Sequence, residues 1–347
     1  MIRVVVAEDS PTARGLLVAI LAADPEIEVV GEAADGVEAV ALTRRLRPNV
    51  VTMDIQMPRM DGLQATKQIM TEVPTPVVVV STLIERDIRT SMDSLRAGAL
   101  AVLQKLVGPD APTFDAEAKR LRDTVKAMAE VKVVRHWPPR SPVPDRPRRG
   151  PRRAGPSLVT IAASTGGPAA LSVILRALPA DFPLPILVVQ HIAIGFAPGL
   201  AEWLGTLCAL KVRVAQHGAR PRPGEVLIAP DDRHLGLARD GTLEITNEPP
   251  VLGFRPSGNY LFSAAARALG PAACAVVLTG MGTDGVEGLR ELRAAGGQVV
   301  AQDEASSVVF GMPGAAVAAG LADEVLPLSE IAGWLTRAVA AEDTSAR

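Results

Sequence analysis

Cysteine is scarce in this chain: of 347 residues, only Cys208 and Cys274 carry a thiol. They lie far apart and lack metal-ligand spacing, so they build neither a disulfide framework nor a cysteine metal site and read as core thiols of a reducing compartment. An excess of one charge is missing too. With 36 Lys and Arg against 38 Asp and Glu, the formal net charge is -2. That excludes the broad basic field of a nucleic-acid binder and leaves long-range electrostatics no say in the choice of partner. No apolar run approaches the roughly 20 residues of a membrane span. The first short run stops at Glu8-Asp9, so no membrane insertion is expected and the predicted compartment is the cytoplasm. Internal repeats are absent as well. What the chain has is length and 48% hydrophobic residues, enough for two buried cores.

One break in composition divides it. From Arg135 to Pro156 arginine and proline dominate and apolar periodicity disappears, which predicts a semi-extended, solvated linker. Its basic charge could instead dock on an acidic face or a nucleic acid.

After the linker, Leu158 to Pro168 reads LVTIAASTGGP. A β-branched run reaches Ser164 and Thr165, then two glycines and Pro168, and Ala169 to Leu178 has helical spacing, so the stretch predicts strand, tight turn and helix with Ser164 at the corner. Proline suits a first helical turn, where its missing N–H costs nothing. Free N–H groups at such a helix start offer partial positive charge to an oxyanion, as in acyl-transfer sites. A phosphate-binding turn or a plain serine cap fits the same stretch.

Both sides of the linker alternate strands with helices. Before it, Ile2–Ala7, Val29–Glu32, Val50–Met53, Val77–Ser81 and Ala101–Leu103 read as strands, with helices at Thr12–Ala23, Gly36–Leu46, Gly62–Thr71 and Asp87–Ala97. After it, strands are expected at Leu158–Ala163, Leu184–Gln190, Glu225–Ile228, Ala273–Thr279, Gln298–Ala301 and Glu324–Leu326. The helices there are Ala169–Leu178, Pro198–Thr206, Tyr260–Leu269, Gly285–Ala294 and Gly314–Ala319, with a hairpin around Asp240-Gly241. Crossovers of that length imply two α/β domains, each with a doubly wound, parallel sheet.

Ligands of such sheets bind at the strands' carboxyl ends. In the first half the acids Glu8, Asp9 and Asp54 fall there, with Ser81 and Lys105 after later strands. Crowded carboxylates repel unless a cation joins them, and an oxygen-only set favours Mg²⁺, which would screen a phosphoryl group approaching Asp54. Acidic residues that merely stabilise helix starts are the plainer reading of any one of them. In the second half Ser164, His191 and Asp284 all follow strands, the set a serine hydrolase needs: His191 to move the Ser164 proton and Asp284 to orient His191. His217, His234, Asp231-Asp232 and Asp303-Glu304 are rivals that spacing alone does not eliminate. The chain order Ser, His, Asp also differs from that of α/β hydrolases.

EDS at 8–10, MDIQMPRMDG at 53–62, Ser81-Thr82 and Gln104-Lys105 resemble a two-component receiver domain. AASTGGP at 162–168, QHIAIGFAPGLAEWL at 190–204, IAPDDRHL at 228–235, FRPSGNYLF at 254–262, LTGMGTDGVEGL at 278–289 and SSVVFGMPGAA at 306–316 resemble the catalytic domain of the chemotaxis protein-glutamate methylesterases, the CheB family. The resemblance implies a flavodoxin-like receiver at 1–125, a linker at 126–156 and a Rossmann-like methylesterase domain at 157–347. It further implies phosphorylation of Asp54 by a CheA-type histidine kinase, Mg²⁺ on Glu8, Asp9, Asp54 and the Gln56 carbonyl, and phosphoryl contacts from Ser81 and Lys105. In the second domain it implies Ser164 as nucleophile, His191 as base, Asp284 as orienting acid, and no cofactor for the esterase reaction. N–H groups near Thr165 and Met281 would form the oxyanion hole, and Arg255 to Ser257 would line the substrate cleft. The implied substrate is a methyl-esterified glutamate of a methyl-accepting chemoreceptor, with receptor glutamine as a second, weaker target. The receiver would cover the cleft until phosphorylated.

Some positions depart from the family pattern. Val102 stands where receivers carry an aromatic switch, and Leu106 follows the lysine in place of a proline. A cis bond at Leu106 would cost about 2.5–4 kcal/mol, so a trans bond and a shifted loop are expected. Weaker receiver control and a higher basal activity follow from the same two residues. Glu8 replaces a commoner Asp, Ala162 replaces a glycine, and Gly258-Asn259-Tyr260 sits where the family tends to carry a hydrophobic residue and Asp. Two other readings stay open: a hydrolase of this fold acting on another substrate in a non-motility chemosensory pathway, and a phosphorylation-controlled interaction module.

Overall fold

The computed structural model describes residues 1–81, 90, 92–95, 97–106, 108–131 and 155–340. Thr82, residues 87–89, 91 and 96 of the expected helix at 87–97 and nearly all of the Arg/Pro-rich segment lie outside the described residues.

The first sheet has five parallel strands: β1 (Ile2–Ala7), β2 (Ile27–Ala33), β3 (Val50–Asp54), β4 (Val77–Ser81) and β5 (Ala101–Gln104), in the order β2-β1-β3-β4-β5. Continuous valine runs in β1, β3 and β4 are buried on both faces, as strands covered by helices on each side must be. The order is the flavodoxin-like one. The helix Phe114–Ala129 closes this unit, and Met128 is fully buried in its core. Residues 126–129, expected in the linker, are therefore its last turn.

The second sheet has seven parallel strands: β6 (Leu158–Ala163), β7 (Ile186–Gln190), β8 (Lys211–Val214), β9 (Glu225–Ile228), β12 (Ala273–Val277), β13 (Gln298–Gln302) and β14 (Glu324–Leu326). Their order is β14-β13-β12-β6-β7-β9-β8. β10 (His234–Leu237) and β11 (Leu243–Thr246) form the expected antiparallel hairpin apart from it. The chain runs from β6 through β7 to the edge strand β8, steps back to β9, and then crosses to β12 on the other side of β6. That reversal opens a crevice at the carboxyl ends of β12, β6 and β7, the position where doubly wound sheets bind ligands. Register fixes what meets there: Ala163 pairs with Gln190 and Val277 with Ala162, so Ser164 and His191 leave adjacent strands side by side.

Sequence reading omitted two elements here. β8 is a four-residue edge strand whose Lys211 and Arg213 blunt an exposed edge and interrupt any apolar signal. The helix Leu328–Ala340 buries Ile331, Ala332 and Leu335 against the helix Gly167–Ala177 and β13. No helix among the described residues is long and apolar enough to cross a membrane.

Candidate active site

The turn after β6 is shaped by its glycines. Gly166 has φ 78° and precedes the helix Gly167–Ala177, a conformation that strains a residue with a Cβ. Space forbids one as well: a Cβ on Gly166 would lie 2.6 Å from Val308 Cβ, and one on Gly167 would lie 2.0 Å from Gln190 Oε1. Gln190, the last residue of β7, donates from Nε2 to the carbonyls of Ser164 (2.7 Å) and His191 (2.9 Å), tying the two corners together. The Ser164 N–H donates to Thr279 O at 3.0 Å, and Thr279 Oγ1 donates to Thr165 O at 2.9 Å. Neither the Thr165 nor the Met281 backbone N–H donates to a backbone or side-chain acceptor among the described residues. Two donors so placed, one beside Ser164 and one in the loop after β12, are free for an oxyanion.

His191 Nε2 lies 2.8 Å from Asp284 Oδ2, and both side chains are buried. The neutral tautomer that suits this carboxylate keeps its proton on Nε2 and leaves Nδ1 as acceptor. His191 Nδ1 is buried without a hydrogen-bond partner. No hydrogen bond joins it to Ser164 Oγ in this structure, in keeping with the loose nucleophile–base contacts common before substrate binds. Phe254 stacks on the His191 ring, centroids 4.2 Å apart and planes 9° from parallel, which fixes the ring's plane.

Asp284 is held from the other side by the start of the helix Gly258–Leu269. Ser257 Oγ donates to Oδ1 at 2.7 Å, the Asn259 N–H to Oδ1 at 3.1 Å and the Gly258 N–H to Oδ2 at 2.6 Å. Burial works to raise the Asp284 pKa, but the hydrogen bonds and charge of His191, with those from Ser257 and Gly258, outweigh it and hold the carboxyl below its ordinary value. Asn259 locks the reverse direction, its Oδ1 accepting from the N–H groups of Gly285 and Gly288, each at 3.0 Å.

These contacts correct one expectation. Ser257 is fully buried and faces Asp284, so it positions the carboxylate instead of lining the substrate cleft. Arg255 spends its donors on Asp232 and on the carbonyls of Asn247 and Glu248, bracing loops around the site. The rivals are occupied elsewhere. His217 Nδ1 accepts from the Ile245 N–H in the hairpin. His234 is buried, bonded to Pro249 O and stacked on Tyr260, and burial pushes its pKa down. Asp231 accepts from the Ala197 N–H and Asp303 from Ser306.

At the carboxyl edge of the first sheet, Lys105 Nζ lies 2.9 Å from both Glu8 Oε2 and Asp54 Oδ2. Its N–H donates to Ser81 O at 2.8 Å, so lysine and serine leave β5 and β4 together. Glu8, Asp9 and Asp54 each bring a carboxylate oxygen within 4.8 Å of the others. Gln56 is in the loop just after Asp54. Burial pushes the Asp54 pKa up to about 6, with the Glu8 charge adding to it and the Lys105 hydrogen bond opposing it. Three acids against one lysine leave negative charge that a hard cation would neutralise, so the donor set fits Mg²⁺. Val102 is buried, and the Lys105–Leu106 bond is trans, as expected. Leu106 packs at the edge of this domain's apolar cluster, as do Val308 and Val309 from the second domain.

Residues 159–335 match the family model for CheB methylesterase, and residues 4–112 that for the response regulator receiver domain. The chain is 63% identical over 341 residues to protein-glutamate methylesterase/protein-glutamine glutaminase 4 of Myxococcus xanthus (strain DK1622), covering 97% of each. It is 55% identical to protein-glutamate methylesterase/protein-glutamine glutaminase 3 of Anaeromyxobacter dehalogenans (strain 2CP-C), covering 97% of this chain and 100% of the relative. Among solved structures, the Thermotoga maritima CheB methylesterase catalytic domain is 40% identical, with a TM-score of 0.51 over 53% of this chain and 99% of the other. The chain belongs to the CheB methylesterase family, its catalytic domain preceded by a response regulator receiver.

Proposed function

We propose that the chain is a phosphorylation-controlled protein-glutamate methylesterase that also deamidates glutamine, as its relatives are named. The observation that carries the chemistry is the buried His191–Asp284 pair beside the Ser164 turn, with Nδ1 unpartnered. Ser164 Oγ adds to the γ-carbonyl carbon of the esterified glutamate while His191 Nδ1 takes its proton. Asp284 stabilises the resulting imidazolium, and the Thr165 and Met281 N–H groups receive the oxyanion. The imidazolium then protonates the methoxyl oxygen, methanol leaves, and Ser164 carries a γ-glutamyl ester. Water, deprotonated by the same nitrogen, cleaves that ester to free the glutamate and restore Ser164. With glutamine the leaving group is ammonia, and the step is slower because an amide carbonyl is less electrophilic.

Asp54 is the phosphoacceptor, with a CheA-type histidine kinase as donor, and Ser81 and Lys105 contact the phosphoryl oxygens. Glu8, Asp9, Asp54 and the Gln56 carbonyl would hold Mg²⁺, which supplies charge neutralisation to the phosphoryl group. Control is supported by Val308, which packs both on the Gly166 turn and on the receiver's apolar cluster. Chemoreceptors are the substrates and the cytoplasm is the compartment.

The test is methanol release from methylated chemoreceptor cytoplasmic fragments, for the wild type and Ser164→Ala, with and without a small phosphodonor and Mg²⁺. Release that requires Ser164 and rises with phosphodonor is expected. A well-folded wild-type protein that releases none in either state overturns the reading.

A further inference from the structure

Phe254, the ring stacked on His191, closes a two-residue hairpin. Val251 and Phe254 exchange backbone hydrogen bonds at 3.0 and 2.9 Å, and between them Leu252 has φ 51° and Gly253 φ 82°. Positive φ at both central positions defines the turn that Asn-Gly and Asp-Gly favour, and glycine fills its second place as expected. Leucine in its first place is unfavourable, because a Cβ crowds the carbonyl there and no side-chain polar group compensates. Burial does not explain it either: Leu252 is 64% exposed. Neither conformation nor core packing accounts for this residue.

The other member of the stacked pair has a counterpart close by in sequence. The loop leaving His191 buries Ala193 and Phe196 but leaves Ile194 57% exposed. Apart from the amino-terminal Met1, Leu252 and Ile194 are the two most exposed large hydrophobic residues among those described. Each lies within three residues of a member of the Phe254–His191 stack. Single exposed apolar residues are ordinary on a protein surface. Two so close in sequence to the ring stack at the catalytic histidine, one of them in a conformation its type disfavours, are a local rule broken at a functional site.

We propose that Leu252 and Ile194 dock the protein substrate by gripping apolar side chains beside its target glutamate. The inference rests on the esterase reading above and adds to it the residues that select a protein over a small ester. A protein ester can reach Ser164 only if the surrounding protein surface settles on the loops at the mouth, and these two side chains are what those loops present.

Leu252→Asn tests this without straining the turn, since asparagine tolerates positive φ. Thermal unfolding is expected at or above the wild-type temperature. In methanol release from methylated chemoreceptor fragments, KM should rise about tenfold. The ratio of kcat/KM for the fragment to kcat/KM for p-nitrophenyl acetate should fall by a similar factor, and Ile194→Ser should act in the same direction. In parallel, binding of the fragment to Ser164→Ala should weaken about tenfold when Leu252→Asn is added. An unchanged KM and binding, or an equal loss on both substrates, overturns the docking role while wild-type release still upholds the esterase. A wild-type protein that neither binds nor hydrolyses the fragment overturns both.

Discussion

Two buried aspartates, each at the carboxyl edge of a parallel sheet, have been given opposite surroundings. Asp284 is 1% exposed and receives four protein hydrogen bonds, from His191, Ser257, Gly258 and Asn259. Asp54 is 3% exposed and, among the described residues, receives one backbone N–H, from Ile55, plus a lysine it shares with Glu8. The first carboxyl is held below its ordinary pKa and the second is pushed up to about 6. Asp284 belongs to a site finished by the fold itself. Asp54 belongs to a site where three acids face one lysine, an imbalance that a bound cation would neutralise. Carboxylate burial therefore says little about role until its donors are counted.

The largest effect should come from unfinishing the finished site. Asp284→Asn keeps the shape but favours the wrong His191 tautomer, so kcat for methanol release should fall about 10³–10⁴-fold. The corresponding change at the other site, Asp54→Asn, should instead abolish only the increment produced by phosphodonor and Mg²⁺, read in the same assay. A smaller loss is expected from the backbone that holds Asp284. A Cβ on Gly258 would lie 2.9 Å from Ala162 Cβ, so Gly258→Val should shift the helix start off the carboxylate. A drop in kcat of about tenfold to a hundredfold, partly restored by Ala162→Gly, would mark these two departures from the family pattern as a matched pair.

The smallest and most discriminating effect is on stability, where one substitution should act with opposite sign at the two sites. A lowered pKa means that ionised Asp284 stabilises the fold above the ordinary carboxylate range, a contribution lost as pH falls through the lowered value. Asp284→Asn should thus cost about 1–3 kcal/mol at pH 7, a deficit that closes in acid. A raised pKa means that Asp54 costs stability once it ionises, as pH climbs from about 4 towards about 6. Asp54→Asn should gain about 1–3 kcal/mol at pH 7 without Mg²⁺ and nothing below about pH 4. Denaturant titrations across pH check both.

The fold was largely legible because parallel strands announce themselves as unbroken β-branched runs between turn residues. What escaped were β8, whose charges hide a four-residue edge strand, and the helices Phe114–Ala129 and Leu328–Ala340, which close the two domains. At the site, Ser164, His191 and Asp284 could be listed but not singled out from their rivals by spacing, since the choice depends on register and on loops folding back. Pairing of Ala163 with Gln190 makes that choice, and Gln190 itself went unread although a polar residue ending a buried strand was its signal. Two of the four donors to Asp284 are backbone N–H groups, which no side-chain pattern reports. The role of Phe254 depends on a ring stack between segments distant in sequence, and Leu252 stands out only once its φ is known.

The most direct test of a catalytic site completed by the fold is labelling with a fluorophosphonate, followed by peptide mass mapping. The adduct should form on Ser164, faster with phosphodonor and Mg²⁺, and its rate should collapse in Asp284→Asn while Asp54→Asn removes only the phosphodonor response. Labelling of another residue, or an undiminished rate in Asp284→Asn, would contradict it.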